Sequence, residues 1–486
     1  MQDVKKFSFD VGWVLVGSAI NLVIGLMFRV VLARWLGSVE LGLYSMVLTI
    51  QGIAVFIITI GIPVALTKYV AEYKDAKDKL FQLTSAAFIG SLVTGLVGGI
   101  LLYVLSGIFA SLFHMPELAR LLKILAFSLP FSSILQNVIG LLNGLRQMKT
   151  YTFVTVIQNL LMMSLTVAFL WLGLGVDGAI WGIVLSTAGV CILGLYFSRK
   201  YLRINLTRLL QGIKRLALFG SQVFGAGALD LVIYYTDTLM IGYFLGAKDV
   251  GQYSIAITIS SLFLLLPSAI QTITYPATSE YLSQNRHQSF GIMVDKSTKY
   301  TACILLPLGL LIGFFSKALV TIAFGQEFSP AVLPLIVLII GKVIRGSTVG
   351  SVGSAFSGAG RPDLVLKLCI LAAVMNVVLC FVLIPPFGIL GAAIATTISG
   401  IFGSAIGLLF WPKILKVRLD FKWFAKTMGL ACIAIALFLA GREVVNSYIV
   451  GVVIFCAYTA LVPTVFLTRE DRDIFKSLAY SVVRRR

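Results

Sequence analysis

The chain has 486 residues, 59% of them hydrophobic and only 12% charged, with a formal net charge of +19 and a mean hydropathy of +0.99. Soluble domains average about 45–50% apolar and about 25% charged residues, so a string of soluble domains, a disordered chain and a soluble basic nucleic-acid-binding module are all excluded. The solvent of this chain is mostly lipid, and its excess of basic residues becomes a signal of membrane orientation.

A bilayer core about 30 Å thick needs about 20 apolar residues per helix. The N-terminal stretch MQDVKKFSFDVGWVLVGSAINLVIGLMF places lysines before a long apolar run with no small-residue cleavage site, so it reads as a retained first span. Continuing along the chain, the pattern predicts fourteen spans near 11–34, 40–64, 83–108, 120–143, 152–173, 178–198, 216–244, 250–275, 298–322, 330–355, 366–386, 388–411, 423–441 and 447–467. The basic residues test this count. With the N-terminus inside, 30 of the 39 lysines and arginines fall on cytoplasmic segments, as the positive-inside rule requires. Both termini are then cytoplasmic in a multi-pass protein of the cell membrane.

The external loops are too short to hold a folded domain, which takes at least about 50 residues. The longest internal connection, from Arg199 to Leu216, alternates basic residues with leucine and isoleucine and reads as a helix on the anionic inner leaflet. Six widely spaced cysteines form no C-x-x-C pair, and the two histidines lie far apart, so the sequence implies no metal site and no cofactor. It has no Walker A pattern either, so transport energy is expected from an ion gradient, the membrane potential or substrate mass action.

An internal duplication organises the spans. LGSVELGLYSMVLTI from Leu36 and LGAKDVGQYSIAITI from Leu245 match at seven of fifteen positions at an offset of 209: Leu36/Leu245, Gly37/Gly246, Gly42/Gly251, Tyr44/Tyr253, Ser45/Ser254, Thr49/Thr258 and Ile50/Ile259. A second block agrees at offset 213, including Gly175/Gly388, Gly178/Gly391 and Ser186/Ser399. Each repeat holds six spans, an even number, so the copies share one orientation and meet about an axis along the membrane normal. The expected organisation is an N-terminal six-helix lobe (1–200), a basic interfacial linker (201–215), a C-terminal six-helix lobe (216–413), and two extra spans with a basic tail (414–486).

The LG-x4-G-x-Y element after spans one and seven, carried by ARWLGSVELGLYSM and TDTLMIGYFLGAKDVGQYSIA, resembles the polysaccharide-transporter family. Its members are lipid-linked oligosaccharide flippases of the multidrug/oligosaccharidyl-lipid/polysaccharide exporter superfamily. The resemblance implies an all-α integral membrane fold of two lobes alternating between inward- and outward-open states. It also implies a lipid-linked oligosaccharide as substrate, and polysaccharide-assembly proteins are candidate partners. The two extra spans favour the flippase branch over the twelve-span multidrug antiporters.

Ionisable groups inside spans cost at least about 2.5–3.5 kcal/mol on insertion scales, so each needs a reason. Asp230 in span seven and Lys342 and Arg345 in span ten are predicted nearest the midplane. Asp230 corresponds to Asn21 in the other repeat. Two readings stay open: a structural ion pair between Asp230 and Lys342 or Arg345, or a set of groups lining the cavity. In the second, Lys342 and Arg345 hold a pyrophosphate, for which a guanidinium offers a bidentate fork, and Asp230 titrates or holds H+ or Na+. Arg29 and Asp237, about a third of the way in from the outer face, join this set as substrate-binding and ion-coupling candidates unless they snorkel. Arg120 and Lys123 read as interfacial anchors. Uncharged polar residues within spans, among them Gln51, Gln136, Asn137, Gln158, Asn159 and Asn376, either hydrogen-bond sugars or hold helices together. The rivals to a flippase are a multidrug or cation antiporter on the same fold, which an anionic cavity would favour, and a membrane glycosyltransferase or polymerase, which would need an acidic metal-binding motif or a large external loop.

Overall fold

The computed structural model describes residues 2–73, 76–202, 209–415, 422–441 and 446–466. The helices run in chain order α1 (Gln2–Thr59), α2 (Ile62–Glu72), α3 (Lys77–Leu112), α4 (Pro116–Ala126), α5 (Leu129–Gly144), α6 (Met148–Trp171), α7 (Gly175–Ser198), α8 (Leu209–Phe244) and α9 (Ala247–Ser261). They continue with α10 (Leu265–Ser283), α11 (His287–Ala323), α12 (Val332–Gly358), α13 (Pro362–Phe387), α14 (Ile389–Leu415), α15 (Lys422–Gly441) and α16 (Ser447–Phe466). There is no strand among the described residues. In lipid this is the expected outcome, because only helices and closed barrels satisfy every backbone group internally.

Nine of the described helices are long and apolar enough to cross a membrane, and eleven if each of two bent pairs, α4 with α5 and the two halves of α8, is one span. The backbone of α1 leaves the helical region at Gly37, and two shorter apolar helices, Ala425–Gly441 and Ser447–Val462, stand outside that number. Along α3, Leu96, Ile100, Val104 and Ile108 recur every fourth residue and all are exposed. An apolar stripe at helical spacing turned away from the protein is a lipid-facing surface.

The chain packs as two compact units, Met1–Ser254 with Ile384–Ile389, and Ile255–Leu383 with Leu390–Arg486. In the first, α1 lies on α6, α3 on α4 and α5, and α2 on α5 and α8. Its core joins Leu66, Val70, Leu83, Ala87, Leu141 and Leu216 to a second cluster of Val138, Leu142, Val154, Val190 and Cys191. In the second unit, α11 packs on α12, and α15 and α16 pair with each other and lie on α11. Phe290 stacks on the buried Trp411 beside Phe356, Phe314 stacks on Phe438, and Trp423 Nε1 donates to Asp295 at 3.3 Å. α8 packs on α2 and α3 and lies in the first unit.

Of the connection read as a surface helix, Arg199–Tyr201 forms a 3-10 turn. Positions 203–208 lie outside the described residues, and α8 starts at Leu209. The basic side chains here find aromatic faces: Arg215 sits over the rings of Tyr69 and Tyr73 and donates to the Tyr73 hydroxyl at 2.6 Å.

The duplication is visible in the backbone. Gly37 and Gly246 both have positive φ (69° and 111°), as do Gly175 and Gly388 (52° and 60°). Each pair is repeat-equivalent, so both copies turn at positive-φ positions that favour glycine. The copies also touch. A side chain at Gly42 would collide with the carbonyl of Ala247, and one at Gly251 with the carbonyl of Ser38. At the offset of 209, Ser38 corresponds to Ala247 and Gly42 to Gly251, so the contact is its own mirror.

Candidate functional site

The two copies of the helix–glycine–helix junction carry the charges. In the first, Arg29 lies eight residues before Gly37, and its Nη1 donates across the break to Ser45 Oγ at 3.0 Å. The guanidinium is half-buried, lies within electrostatic range of Tyr44 and Tyr234, and bonds no carboxylate among the described residues. Tyr44 is 1% exposed, packs edge-on against Phe28, and its hydroxyl has no hydrogen-bond partner among the described residues. In the second copy, Tyr253 takes the place of Tyr44 and Asp237 that of Phe28. There the Tyr253 hydroxyl donates to Asp237 Oδ2 at 2.8 Å, and the aspartate is 5% exposed. Asp237 therefore sits under a tyrosine rather than reaching outward.

Beside the first junction, within the first unit, lies a cavity of about 740 Å³. One face of α1 lines it through Leu48, Gln51, Gly52, Val55, Phe56 and Thr59. The spacing of three, one, three, one and three residues is a single helical stripe. Ser45, the partner of Arg29, continues that stripe by three residues, a rise of about 4.5 Å. The opposite walls come from α5, α6, α7 and α8. Three amides converge on the space, Gln51, Gln136 and Gln158, and Phe56 stacks on Phe224 with ring centroids 4.6 Å apart. Every described lining residue is uncharged.

The remaining candidates divide. Lys342 and Arg345 are half-buried on α12 in the second unit, where the Arg345 side chain lies against Gly400 of α14. Asp230 is on α8, and its side chain lies outside the described residues. Asn137 donates to Ala87 O at 3.0 Å and to Ser91, Asn159 to Asn21 at 3.0 Å, and Asn376 to Thr396 at 3.1 Å; these three tie helices together. Arg120, read as an anchor, pairs with Asp177 at 2.9 Å, and Lys123 lies over the Tyr103 ring. Sequence reasoning did not single out Tyr44, Ser45, Tyr253 or the Phe56–Phe224 pair. The repeat was the signal that held three of them, since Tyr44/Tyr253 and Ser45/Ser254 are among its identities.

Fold and junctions define an all-α, multi-pass membrane protein built on a duplicated bundle. The family described as "Polysaccharide biosynthesis protein" matches residues 9–282, more than half of the chain, and the chain belongs to that family. A second family, MatE, matches residues 224–382. Among individual proteins, the chain is similar to an uncharacterized membrane protein of Methanocaldococcus jannaschii, 23% identical over 93% of this chain and 94% of the relative. It is also similar to AglR, a probable flippase of Haloferax volcanii, 24% identical over 74% of this chain and 73% of the relative. The fold is shared with the lipid II flippase MurJ in an inward closed conformation, with a TM-score of 0.76 and 16% identity over 92% of this chain and 98% of that one.

Proposed function

We propose that this protein is a flippase, a transporter rather than an enzyme, that moves a polyprenyl- or dolichyl-linked pyrophosphate oligosaccharide across the cytoplasmic membrane by alternating access. The observation that carries this reading is Arg29, an intramembrane guanidinium that donates to the Ser45 hydroxyl, bonds no carboxylate among the described residues, and is set at the head of the stripe that lines the cavity. A cation in a membrane span with no carboxylate partner among the described residues is suited to an anionic ligand, and its bidentate fork fits a diphosphate. Lys342 and Arg345 supply further substrate-binding cations, and Asp230 and Asp237 couple the cycle to H+ or Na+. Both termini face the cytoplasm, and the basic segments rest on anionic inner-leaflet lipids. The match to MatE over residues 224–382 supports a second reading, an antiporter of amphiphilic cations on the same fold.

The test is transport in proteoliposomes, read as exposure of the glycan on the far leaflet. Arg29→Gln, and separately Lys342→Gln with Arg345→Gln, should each weaken binding of the lipid-linked substrate by about 1.5–3 kcal/mol per lost charge-assisted bond while leaving the protein folded. Exporting about two negative charges gains about 4.6 kcal/mol per 100 mV when the cytoplasm is negative, so collapsing the potential should slow transport. Unchanged flipping by Arg29→Gln removes the reading, and efflux of organic cations in place of glycan transfer would establish the antiporter.

A further inference from the structure

We infer that the cavity of the first unit is a glycan subsite that selects uncharged sugars, an assignment that rests on the flippase reading and narrows its substrate. Three classes of occupant fit a transporter of this fold: an apolar chain, an ion, or a neutral polyhydroxylated group. An apolar chain would cover the amides of Gln51, Gln136 and Gln158 without replacing their hydrogen bonds to water, a loss on the scale of a buried unpaired polar group for each. An ion is opposed from both sides. Every described lining residue is uncharged, so neither an organic cation nor a uronic acid would meet a counter-charge among them as it left water.

A neutral sugar matches what is present. Each amide offers donors and an acceptor, and each sugar hydroxyl is both donor and acceptor. Gln51 spends one N–H on Ser128 Oγ at 3.4 Å, which fixes its orientation while its carbonyl stays available. Gln136 and Gln158 line the space and bond to no described residue, so their amides are left to a ligand or water. The stacked Phe56 and Phe224 supply an apolar wall for the C–H faces of a pyranose ring. The volume of about 740 Å³ is within the range of about 300–1,000 Å³ typical of small-molecule sites. The layout is also linear. Ser45 and Arg29 lie at one end of the α1 stripe and Gln51 begins the amide set six residues on, about 9 Å along the helix. A diphosphate at Arg29 would thus lead directly into sugars beside Gln51.

The experiment compares three probes on the purified full-length protein: a polyprenyl diphosphate without sugar, the same lipid with one neutral hexose, and the same lipid with one hexuronic acid. The neutral hexose should tighten binding at least tenfold over the bare diphosphate, and the hexuronic acid should give no gain. Gln136→Leu with Gln158→Leu should return the hexose probe to the affinity of the bare diphosphate and leave the bare diphosphate unchanged. The wild-type comparison stands even where the double variant folds poorly. The subsite is overturned if the hexose gives no gain, if the hexuronic acid binds as well as the hexose, or if the double variant weakens all three probes alike; in each case diphosphate binding lost in Arg29→Gln keeps the flippase reading intact. If no probe binds the wild-type protein, both readings fall.

Discussion

The junction around Gly37 and the junction around Gly246 are the same piece of backbone used twice with opposite chemistry. Both break a helix at a glycine with positive φ and both place a buried tyrosine after the break. One holds an arginine on a serine hydroxyl, and the other holds an aspartate under a tyrosine hydroxyl. Geometry has been kept where glycine is required, and charge has diverged where only the side chain differs. The scaffold is repeated, and the charges set on it are not.

If the scaffold is equivalent and the chemistry is not, substitutions should fall into matched and unmatched pairs. The largest effects belong to the glycine contact. Gly42→Ala and Gly251→Ala each push a methyl into a backbone carbonyl of the other copy, which cannot swing aside as a side chain would. Each should cost about 1–3 kcal/mol or more in thermal unfolding of the purified protein, and the two should agree. A large cost at one and none at the other would break the equivalence.

The tyrosines should differ. Tyr253→Phe removes a donor from a buried aspartate and should cost about 1.5–3 kcal/mol. Tyr44→Phe deletes a hydroxyl that has no hydrogen-bond partner among the described residues and should be neutral or mildly stabilising. Equal costs in the same unfolding assay would mean that both hydroxyls serve one purpose. Smallest are the turns, where Gly175→Ala and Gly388→Ala place a Cβ on left-handed backbone at about 1–2 kcal/mol each. Unequal losses there would sharpen the comparison by showing which turn tolerates relaxation.

Much of this was readable before any coordinates. Hydropathy located the helices because lipid leaves the backbone no other choice, and the paired glycines marked the turns because no other residue adopts them without strain. The repeat aligned Tyr44 with Tyr253, which is where the junctions lie. What the sequence withheld depends on neighbours far along the chain. Gln158 and Asn159 are adjacent and both polar, yet one lines the cavity and the other holds Asn21, since a helix turns about 100° per residue. Asp237 gave no sign that Tyr253 would cap it, because the partner comes from the next helix. The grouping of α8 with the first unit likewise follows from its packing on α2 and α3, which no periodicity encodes.

The self-matching contact of Gly42 with Ala247 and of Gly251 with Ser38 has the form of an isologous interface, in which position i of one copy meets position j of the other and the reverse. That is how two separate, identical subunits meet across a two-fold axis. Because both copies lie in one chain, the two sides of this contact need not carry the same side chains, and Asp237 stands where its twin is Phe28.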